Sequence, residues 1–498
     1  MSKPVLFIPG YPGSDLYELD KNNSGTLNKI WAELTGPKDA KKLYGPIKPD
    51  SFDNIFAPWA VRFKSKHLKI DVHTSLFEFL EENLGYQWAH PAHFGPSSTE
   101  TSLYIPMGWD WRLPISHMQT HYKVGKYIED LQSLTNEGVV VIVHSTGGLL
   151  FRTWLEQSAR PSQIMKIDHV ICIGVPWLGT LASLANIVNP EIFKWFMTLS
   201  RSDDVVAHSH AAYDLMPTPQ SGLLRYLKGK KNADALRTRW RGGLHDRVIQ
   251  FRQKSANARF GNMSREPYLH GPNGAAVPFP VTNLYGWGHK GIVRGWLRKK
   301  KSWWQKYIEF DSELESDGTL EVATTSVLDG QGVPTGSGVT NIMSVPCGYS
   351  GDKKDKLFEE RIKHVTLFAS PIVHRVIDGV VNGPAGGVKP TSAPYLSASL
   401  QGKSTTFEET FRINVSMYGP DLTPLAPDKV SLSFSFNGYS VTGKSKTADG
   451  CEVFELEISH FSRNEQGSVQ TAKLTTTING KIYSEKIPLR IPRKWERE

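Results

Sequence analysis

The sequence contains very little cysteine. Its 498 residues include only three, Cys172, Cys347 and Cys451. An odd, scattered set of this kind is not a disulfide framework, and its spacing does not match a zinc site, so we expect no metal. Cys172 lies in the apolar stretch VICIGV, which favours a place in the core. The low count indicates a protein that works in a reducing compartment.

Long hydrophobic runs are also missing. No segment approaches the ~18 apolar residues that a membrane-spanning helix needs. The N-terminal stretch MSKPVLFIPGYPGS has a short apolar run that ends at a Gly/Pro turn, whereas a signal peptide needs a longer apolar region and a small-residue cleavage site. We therefore predict neither a signal peptide nor a transmembrane segment, and expect a cytoplasmic protein or one secreted without a leader. Residues 4–10 are interpreted as a first core strand.

Acidic residues are outnumbered by basic ones. The chain has 58 Lys and Arg against 49 Asp and Glu, a net charge of +9. This excess could favour an anionic lipid surface or nucleic acid, or could serve solubility alone. The basic residues are scattered and no recognised nucleic-acid-binding motif is present, so no nucleic-acid partner is expected.

Residues 1–385 have the pattern of an α/β fold. Short stretches that are apolar on both faces alternate with helical patterns, which is typical of a parallel sheet covered by helices. The predicted strands and helices are 5–10, 103–109, 121–137 (helix), 139–145, 148–159 (helix), 169–176 and 281–287. Three insertions do not fit a minimal version of this fold, and long ordered insertions are often lids or binding surfaces: 20–66, 200–280 and 288–310.

The composition changes near residue 382. The stretch NGPAGGVKPTSAP, residues 382–394, is typical of a linker. After it, apolar and polar residues alternate in short segments separated by turn signals, at 411–419, 429–438, 451–459, 469–480 and 486–492. We predict two domains, an α/β domain over 1–385 and a small all-β domain, an Ig-like sandwich, over 386–498.

The stretch GVVVIVHSTGGLLFRTW places Ser145 between a buried strand and a helix. Such a turn exposes the hydroxyl at the carboxyl end of a parallel sheet, where ligands bind. The free amide of Thr146 at the helix start is expected to stabilise an oxyanion. The pattern is G-x-S-x-G with Val143 in place of the first glycine, which predicts a slightly more open turn. A serine helix cap is the simpler alternative, but His-Ser-Thr-Gly-Gly after five β-forming residues favours a nucleophile.

A serine nucleophile needs a base and an orienting carboxylate, which follow in the order acid, then histidine, in hydrolases of this type. Asp317 stands in a turn at the end of a strand-like stretch, with Asp311 and Asp329 as alternatives. His364 precedes an apolar run, whereas the alternative His374 lies in a helical pattern. The residues alone leave these choices open.

The second oxyanion donor is expected from the loop IPGYPGSDL, residues 8–16. Gly10 and Gly13 permit unusual backbone angles there. The main-chain amide of Tyr11 is the predicted donor.

Six segments together resemble the lecithin:cholesterol acyltransferase family, a branch of the α/β-hydrolases. They occur in the family's order across about residues 1–380, and they are VLFIPGYPGSDLY, PMGWDWRLP, VVVIVHSTGG, GVPWLGT, SDGTL and KHVTLF. The resemblance implies an α/β-hydrolase fold with lid insertions and a triad of Ser145, Asp317 and His364. It also implies an acyl-ester substrate, typically a glycerophospholipid.

The resemblance further implies that Trp109 lines the acyl site near the oxyanion hole. Gly10 and Trp287 complete the predicted substrate-binding residues, while Asp110 and Arg112 are expected to form a buried structural pair. Core packing is the alternative for Trp109 and its neighbours. Val143, the absence of cysteines from the 20–66 insertion and the C-terminal β domain all depart from the family pattern.

The predicted function is therefore a serine-dependent O-acyltransferase or phospholipase-type acyl hydrolase that forms an acyl-enzyme without any cofactor. Two alternatives remain. One is a soluble carboxylesterase for short esters, and the other is a non-catalytic interaction protein with a decayed hydrolase site.

The segment GWLRKKKSWWQKY, residues 295–307, is the main candidate for contact with an anionic membrane surface. A solvated hairpin tip is the alternative. The contact residues would be Trp296, Arg298, Lys299, Lys300, Lys301, Trp303 and Trp304. A weaker second candidate comprises Leu223, Leu224, Tyr226, Lys228, Lys230 and Lys231.

Overall fold

The structure is a computed structural model, and it describes most of the chain. The described residues are 2–19, 27–31, 43–44, 55–65, 70–89, 102–188, 202–218, 223–226, 250, 252–254, 256, 269–287, 289–299, 306–316, 319–320, 341–347, 364–390, 393–400, 410–423, 429–434, 440–442, 444–445, 451–457, 462 and 469–490.

Strands dominate the described residues. In chain order they are β1 (Val5–Ile8), β2 (Leu16–Leu19), β3 (Leu27–Trp31), β4 (Ile55–Phe56), β5 (Phe63–Ser65), β6 (Ile70–Val72), β7 (Gln87–Trp88), β8 (Leu103–Pro106), β9 (Val139–His144), β10 (Ile167–Ile173), β11 (Leu224–Tyr226), β12 (Val281–Trp287), β13 (His289–Lys299), β14 (Lys306–Ser316), β15 (Asn341–Pro346), β16 (Tyr395–Leu400), β17 (Thr410–Tyr418), β18 (Lys429–Phe434), β19 (Ser440–Thr442), β20 (Lys444–Ser445), β21 (Cys451–Glu457), β22 (Val469–Ile478) and β23 (Lys481–Arg490).

The helices lie mainly on the connections between strands. They are α1 (Thr74–Glu78), α2 (Met118–Thr135), α3 (Thr146–Gln157), α4 (Pro161–Ile164), α5 (Leu181–Val188), α6 (Ser202–Ala207), α7 (His210–Asp214) and α8 (Pro371–Val381). Shorter turns are π-helical at Phe79–Asn83 and 3-10 at Pro272–Gly274 and His364–Ala369. Among these described helices, none combines the length and apolar character needed to cross a bilayer.

Seven strands form a central sheet in the order β15-β12-β10-β9-β1-β8-β7. Every adjacent pair in it is parallel. The prediction of a parallel sheet with helices on its connections is therefore confirmed. Because the strands are parallel, their carboxyl ends lie at one edge of the sheet. The loops after β1, β9, β10 and β12 therefore share that edge.

Both faces of this sheet are buried, and the side chains of each strand alternate between the two faces. On β9, Val139, Val141 and Val143 pack with the apolar residues of α2 and α3. Val140 and Ile142 point to the opposite face and pack with those of α1 and α8. A strand between two helical layers therefore has no polar face, which explains its unbroken apolar sequence.

Several predicted boundaries differ from the structure. The strand that precedes Ser145 ends at His144, and the predicted strand 103–109 ends at Pro106. The predicted helices begin earlier, at Met118 and Thr146. The 288–310 insertion contains β13, which pairs antiparallel with β14. Strand β15 was not predicted at all.

The C-terminal residues form two four-stranded sheets, with the orders β16-β17-β21-β20 and β19-β18-β22-β23. Every pair within them is antiparallel. The first sheet contacts the central sheet, since the hydroxyl of Tyr418 accepts a hydrogen bond from the amide of Ile342 in β15 at 3.0 Å. Tyr395 also packs on α8, where its hydroxyl donates to the carbonyl of Arg375 at 3.1 Å.

Candidate active site

Ser145 lies at the junction of β9 and α3, and its backbone has an unusual positive φ, with φ 51° and ψ −127°. A non-glycine residue in such a conformation costs of the order of 1–3 kcal/mol, and the surrounding structure must enforce it. The Ser145 amide donates to the carbonyl of Ile173 at 3.0 Å, and its carbonyl accepts from Gly148 at 3.0 Å. The neighbouring strand and the first turn of α3 therefore hold the strained turn.

Two glycines allow main-chain segments to approach the turn closely. A Cβ at Gly147 would lie 2.4 Å from the carbonyl oxygen of Ile8. A Cβ at Gly10 would lie 2.6 Å from Cβ and 3.2 Å from Oγ of Ser145. The loop after β1 therefore passes directly over the Ser145 side chain, and a side chain at Gly10 would collide with it.

Val143, which replaces the usual first glycine, is fully buried in the sheet. It lies between Ile8 of β1 and Cys172 of β10 in the strand register. Its side chain belongs to the apolar core beneath α2 and α3. The valine is thus accommodated as a core residue while Ser145 keeps its positive φ.

The predicted oxyanion donors are the main-chain amides of Thr146 and Tyr11. Thr146 is the first residue of α3, and Tyr11 follows Gly10 in the loop after β1. Within the described part of the chain, neither main-chain amide donates a hydrogen bond. Two such amides next to one hydroxyl form an arrangement that can bind a negatively charged oxygen.

The Tyr11 side chain anchors this loop. Its hydroxyl is hydrogen-bonded to Ser209, and burial raises the pKa of the phenol, which keeps it neutral. Its ring packs edge-on against Trp111, with 5.4 Å between centroids. Ser209 also donates to the carbonyl of Trp111 at 2.7 Å. The segment around residue 209, part of the 200–280 insertion, therefore contacts the loop after β1.

Trp109 is hydrogen-bonded to the same loop. Its indole N–H donates to the carbonyl of Pro9 at 2.9 Å, and its main-chain amide donates to Ser14 Oγ at 3.0 Å. Trp109 is only 1% exposed. The structure thus gives Trp109 a contact that the sequence did not predict, while its role at an acyl site stays a prediction. Ser14 was missed because a loop serine carries no distinctive signal.

Asp110 and Arg112 form the expected buried pair. The guanidinium Nε lies 2.8 Å from Oδ1 and an Nη 2.5 Å from Oδ2 of the carboxylate. Such a bidentate pair fixes both side chains. It stabilises the turn that positions Trp109.

His364 begins the 3-10 turn that precedes α8, and it is buried. A Cβ at Gly174 would lie 3.1 Å from both Cε1 and Nδ1 of the His364 ring. Gly174 directly follows Ile173, whose carbonyl accepts the Ser145 amide. Ser145 and His364 therefore both lie near the end of β10, while their pairing stays a prediction. The alternative base, His374, lies in α8 and stacks on Phe79 at 4.0 Å between centroids.

A second histidine, His144, lies between the two. Its Nε2 is 3.1 Å from the carbonyl oxygen of His364, and the two rings stack with centroids 4.8 Å apart. Burial, and then the nearby His364 and His73, lower the pKa of His144 well below its usual value. The motif His-Ser-Thr-Gly-Gly contained this residue, but nothing in the sequence indicated its partner.

The carboxylate of the predicted triad is not among the described residues. Asp317 and the alternative Asp329 lie outside them, as does the side chain of Asp311 in β14. Ser316, the last residue of β14, pairs with His289, two residues beyond Trp287 at the end of β12. Trp287 itself is buried, and its indole N–H has no hydrogen-bond partner in the described part of the chain.

The two segments predicted to contact a membrane are described by the structure to different extents. Within the basic tryptophan segment, Lys300–Trp304 and the side chains of Trp296, Arg298 and Lys299 lie outside the described residues. In the second candidate, Leu223 and Leu224 are 5% and 1% exposed, so the prediction that they face a membrane is wrong. Leu224 begins β11, which pairs with β13. The side chain of Tyr226, and Lys228, Lys230 and Lys231, lie outside the described residues.

Comparison with known proteins supports the family resemblance. Residues 94–259 match the family model of lecithin:cholesterol acyltransferase, a segment that includes the Trp109 turn, Ser145 and α3. No curated protein sequence matches the chain significantly.

Three solved structures show distant similarity. The Tle4–Tli4 complex has 13% identity and a TM-score of 0.45, covering 75% of this chain and 96% of the other. Phospholipase PlaB from Legionella pneumophila has 10% identity and a TM-score of 0.33, covering 97% and 89%. The mature lipase BlEst2 from Bacillus licheniformis has 10% identity and a TM-score of 0.25, covering 58% and 68%.

Proposed function

We propose that this chain, which is similar to the lecithin:cholesterol acyltransferase family, is a serine-dependent O-acyltransferase or phospholipase-type acyl hydrolase. Its substrates would be glycerophospholipids or related acyl esters. One observation carries the proposal: Ser145 has a strained, positive-φ backbone, with the Gly10 loop over its hydroxyl and His364 at the same strand end. This geometry supports acyl transfer in preference to a helix cap, because a cap has no need of either neighbour.

The reaction follows from the arrangement of these groups. His364 takes the proton from the Ser145 hydroxyl as the oxygen attacks the ester carbonyl. The resulting oxyanion accepts hydrogen bonds from the amides of Tyr11 and Thr146. His364 then protonates the leaving alcohol, which leaves an acyl group on Ser145. Water or an acceptor alcohol attacks this acyl-enzyme, and the same histidine removes its proton.

Asp317 is proposed as the carboxylate that orients the His364 ring. It lies on the connection between β12 and β15, after the serine and before the histidine in the chain, which is the order of α/β-hydrolase triads. Asp317→Asn should reduce kcat by about 10⁴-fold, as in a known triad in which the amide imposes the wrong tautomer. Asp311→Asn is the matched control, and equal losses in both variants would contradict this assignment.

We place the acyl chain beside Trp109, Gly10 and Trp287. Ser145 and His364 are 6% and 5% exposed, so a substrate must reach a nearly closed site. This burial supports a cover formed by the 20–66 and 200–280 insertions that opens at a lipid surface.

The first experiment is labelling with a fluorophosphonate probe. Labelling of the wild type that is lost in Ser145→Ala supports a serine enzyme, whereas no labelling supports the interaction protein with a decayed site. Rates on an ester below and above its critical micelle concentration then separate the remaining functions. A rise above that concentration supports a lipid enzyme, and its absence supports the soluble carboxylesterase.

We propose the basic tryptophan segment as the contact with an anionic membrane surface. Each of Arg298, Lys299, Lys300 and Lys301 would contribute about 1 kcal/mol to binding. Co-sedimentation with vesicles that contain an anionic phospholipid tests this, using a variant with these four residues changed to glutamine. Unchanged vesicle binding by that variant would exclude the segment without affecting the catalytic proposal.

We also propose that residues 386–498 are a separate Ig-like sandwich. The two antiparallel sheets support this, because Ile413 and Val415 of one sheet and Ala472 and Leu474 of the other are buried in one apolar cluster, as expected for sheets that pack face to face.

A further inference from the structure

The histidine next to the nucleophile links it to the base. His144 is the last residue of β9, and it is 3% exposed. Its Nε2 lies 3.1 Å from the main-chain carbonyl of His364, 220 positions further along the chain. One side chain therefore joins the end of the nucleophile strand to the segment that carries the catalytic imidazole.

The contact defines the protonation of His144. A carbonyl oxygen can only accept, so Nε2 of His144 carries the hydrogen and donates it. Nδ1 has no hydrogen-bond partner in the described part of the chain. A second proton on this ring would be buried without an acceptor, and burial lowers the pKa accordingly. His144 is therefore a neutral donor.

His144 has two possible roles, to fill space with its ring and to donate a hydrogen bond, and different substitutions can remove each one. Phe368 and His73 pack edge-on against it, with 4.8 and 5.7 Å between centroids. Phenylalanine could fill the same space but cannot donate a hydrogen bond. Glutamine could place an amide donor near the position of Nε2 but lacks the ring.

We propose that His144 is a positioning residue, whose hydrogen bond to the main chain of His364 sets the distance between that imidazole and the Ser145 hydroxyl. The inference rests on the proposed function, because it takes Ser145 as nucleophile and His364 as base. His144 does not contact the substrate in this scheme. It acts on His364, through the hydrogen bond to its main chain and through the ring that stacks on its imidazole with 4.8 Å between centroids.

The test compares His144→Phe with His144→Gln. The readouts are the second-order rate of fluorophosphonate labelling, kcat and KM on a soluble ester, and thermal unfolding. His144→Phe should lower kcat and the labelling rate about 10–100-fold with little change in KM, because misplacing a catalytic group by about 1 Å has effects of this size. His144→Gln should recover most of the labelling rate.

His169→Phe is the matched control. His169 is also a buried histidine on a strand, with Nε2 bonded to Thr282 at 2.9 Å and Nδ1 without a partner in the described part of the chain. It lies near the opposite end of β10 from the Ser145 turn. This variant should lose stability while labelling at the wild-type rate.

The outcomes separate this inference from the proposed function. If the wild type is not labelled at Ser145, the proposed function fails. If it is labelled and folded His144→Phe reacts at the same rate, the inference is overturned. Should His144→Phe not fold, His144→Asn replaces it, since its shorter side chain moves the amide donor away; equal rates for Asn and Gln would then overturn the inference. In a His364→Ala background, His144→Phe should cause no further decrease in the labelling rate or in kcat.

Discussion

The approach of the Gly10 loop to Ser145, the proposed nucleophile, leads to a specific prediction for Gly10→Ala. The new Cβ would lie 2.6 Å from Ser145 Cβ, whereas carbon atoms in contact are about 3.5–4.0 Å apart. One of the two segments must therefore move by about 1 Å. Gly10 does not have a positive φ, so alanine can adopt its backbone conformation and the effect arises from contact alone.

Ser145 has little freedom to move. Its main chain is held by hydrogen bonds to Ile173 and Gly148, so the loop is expected to shift instead. This displacement carries the Tyr11 amide away from the oxyanion position. A misplacement of about 1 Å can cost about 100-fold in rate, or roughly 3 kcal/mol in the barrier. We expect kcat/KM of Gly10→Ala to fall by about this factor.

The assay is steady-state hydrolysis of a soluble chromogenic ester, with thermal unfolding measured on the same samples. Gly271→Ala is the control, because a Cβ there would meet its nearest neighbour at 3.4 Å, an ordinary contact. It should behave as wild type. A folded Gly10→Ala enzyme with the activity of the control would refute the close approach of this loop to Ser145.

Three further predictions concern stability. Asp110→Ala should lower the free energy of unfolding by about 3–5 kcal/mol, because it leaves the Arg112 guanidinium buried without its carboxylate. The double variant Asp110→Ala with Arg112→Met should lose much less of this free energy. Equal losses for the two variants in urea unfolding would contradict this. Trp109→Phe removes the donor to the Pro9 carbonyl, so it should cost about 1–3 kcal/mol in urea unfolding and slow fluorophosphonate labelling; an unchanged labelling rate would show that this bond does not support the site. Burial lowers the pKa of His73 to about 4 from 6.5, so the unfolded chain binds the extra proton and stability should fall by about 3 kcal/mol as the pH drops from 6.5 to 4. Urea titrations over this pH range should show a smaller decline in His73→Gln than in wild type, and the same decline in both would be inconsistent with the buried, neutral imidazole.

Local sequence predicted the elements whose signals are local. The five β-forming residues before His144 identify β9, and the serine turn followed from the glycines after it. Strand β15, with the sequence NIMSVP, could not be predicted, because Asn, Ser and Pro weaken the pattern and only its pairing with β12 makes it a strand.

The residues of the candidate site were also predictable only where their signal in the sequence is local. Ser145 and Tyr11 could be proposed because each lies close in sequence to a glycine, and the structure shows that these glycines allow close approach of neighbouring segments. The hydrogen bond from Trp109 to Pro9 and that from His144 to His364 could not, since their acceptors are main-chain carbonyls distant in the chain. Any residue offers a main-chain carbonyl, so such contacts leave no signature in the sequence. Only the folded arrangement identifies them.

The contact between Tyr418 and the amide of Ile342 has a consequence for how the chain can be divided. Strand β15 is the outermost strand of the parallel sheet, and a bare outer strand offers unpaired main-chain groups to other molecules. The C-terminal sheets shield this strand in the intact protein. A fragment that stops at residue 385 should therefore self-associate through β15, even though every proposed catalytic residue is retained in it.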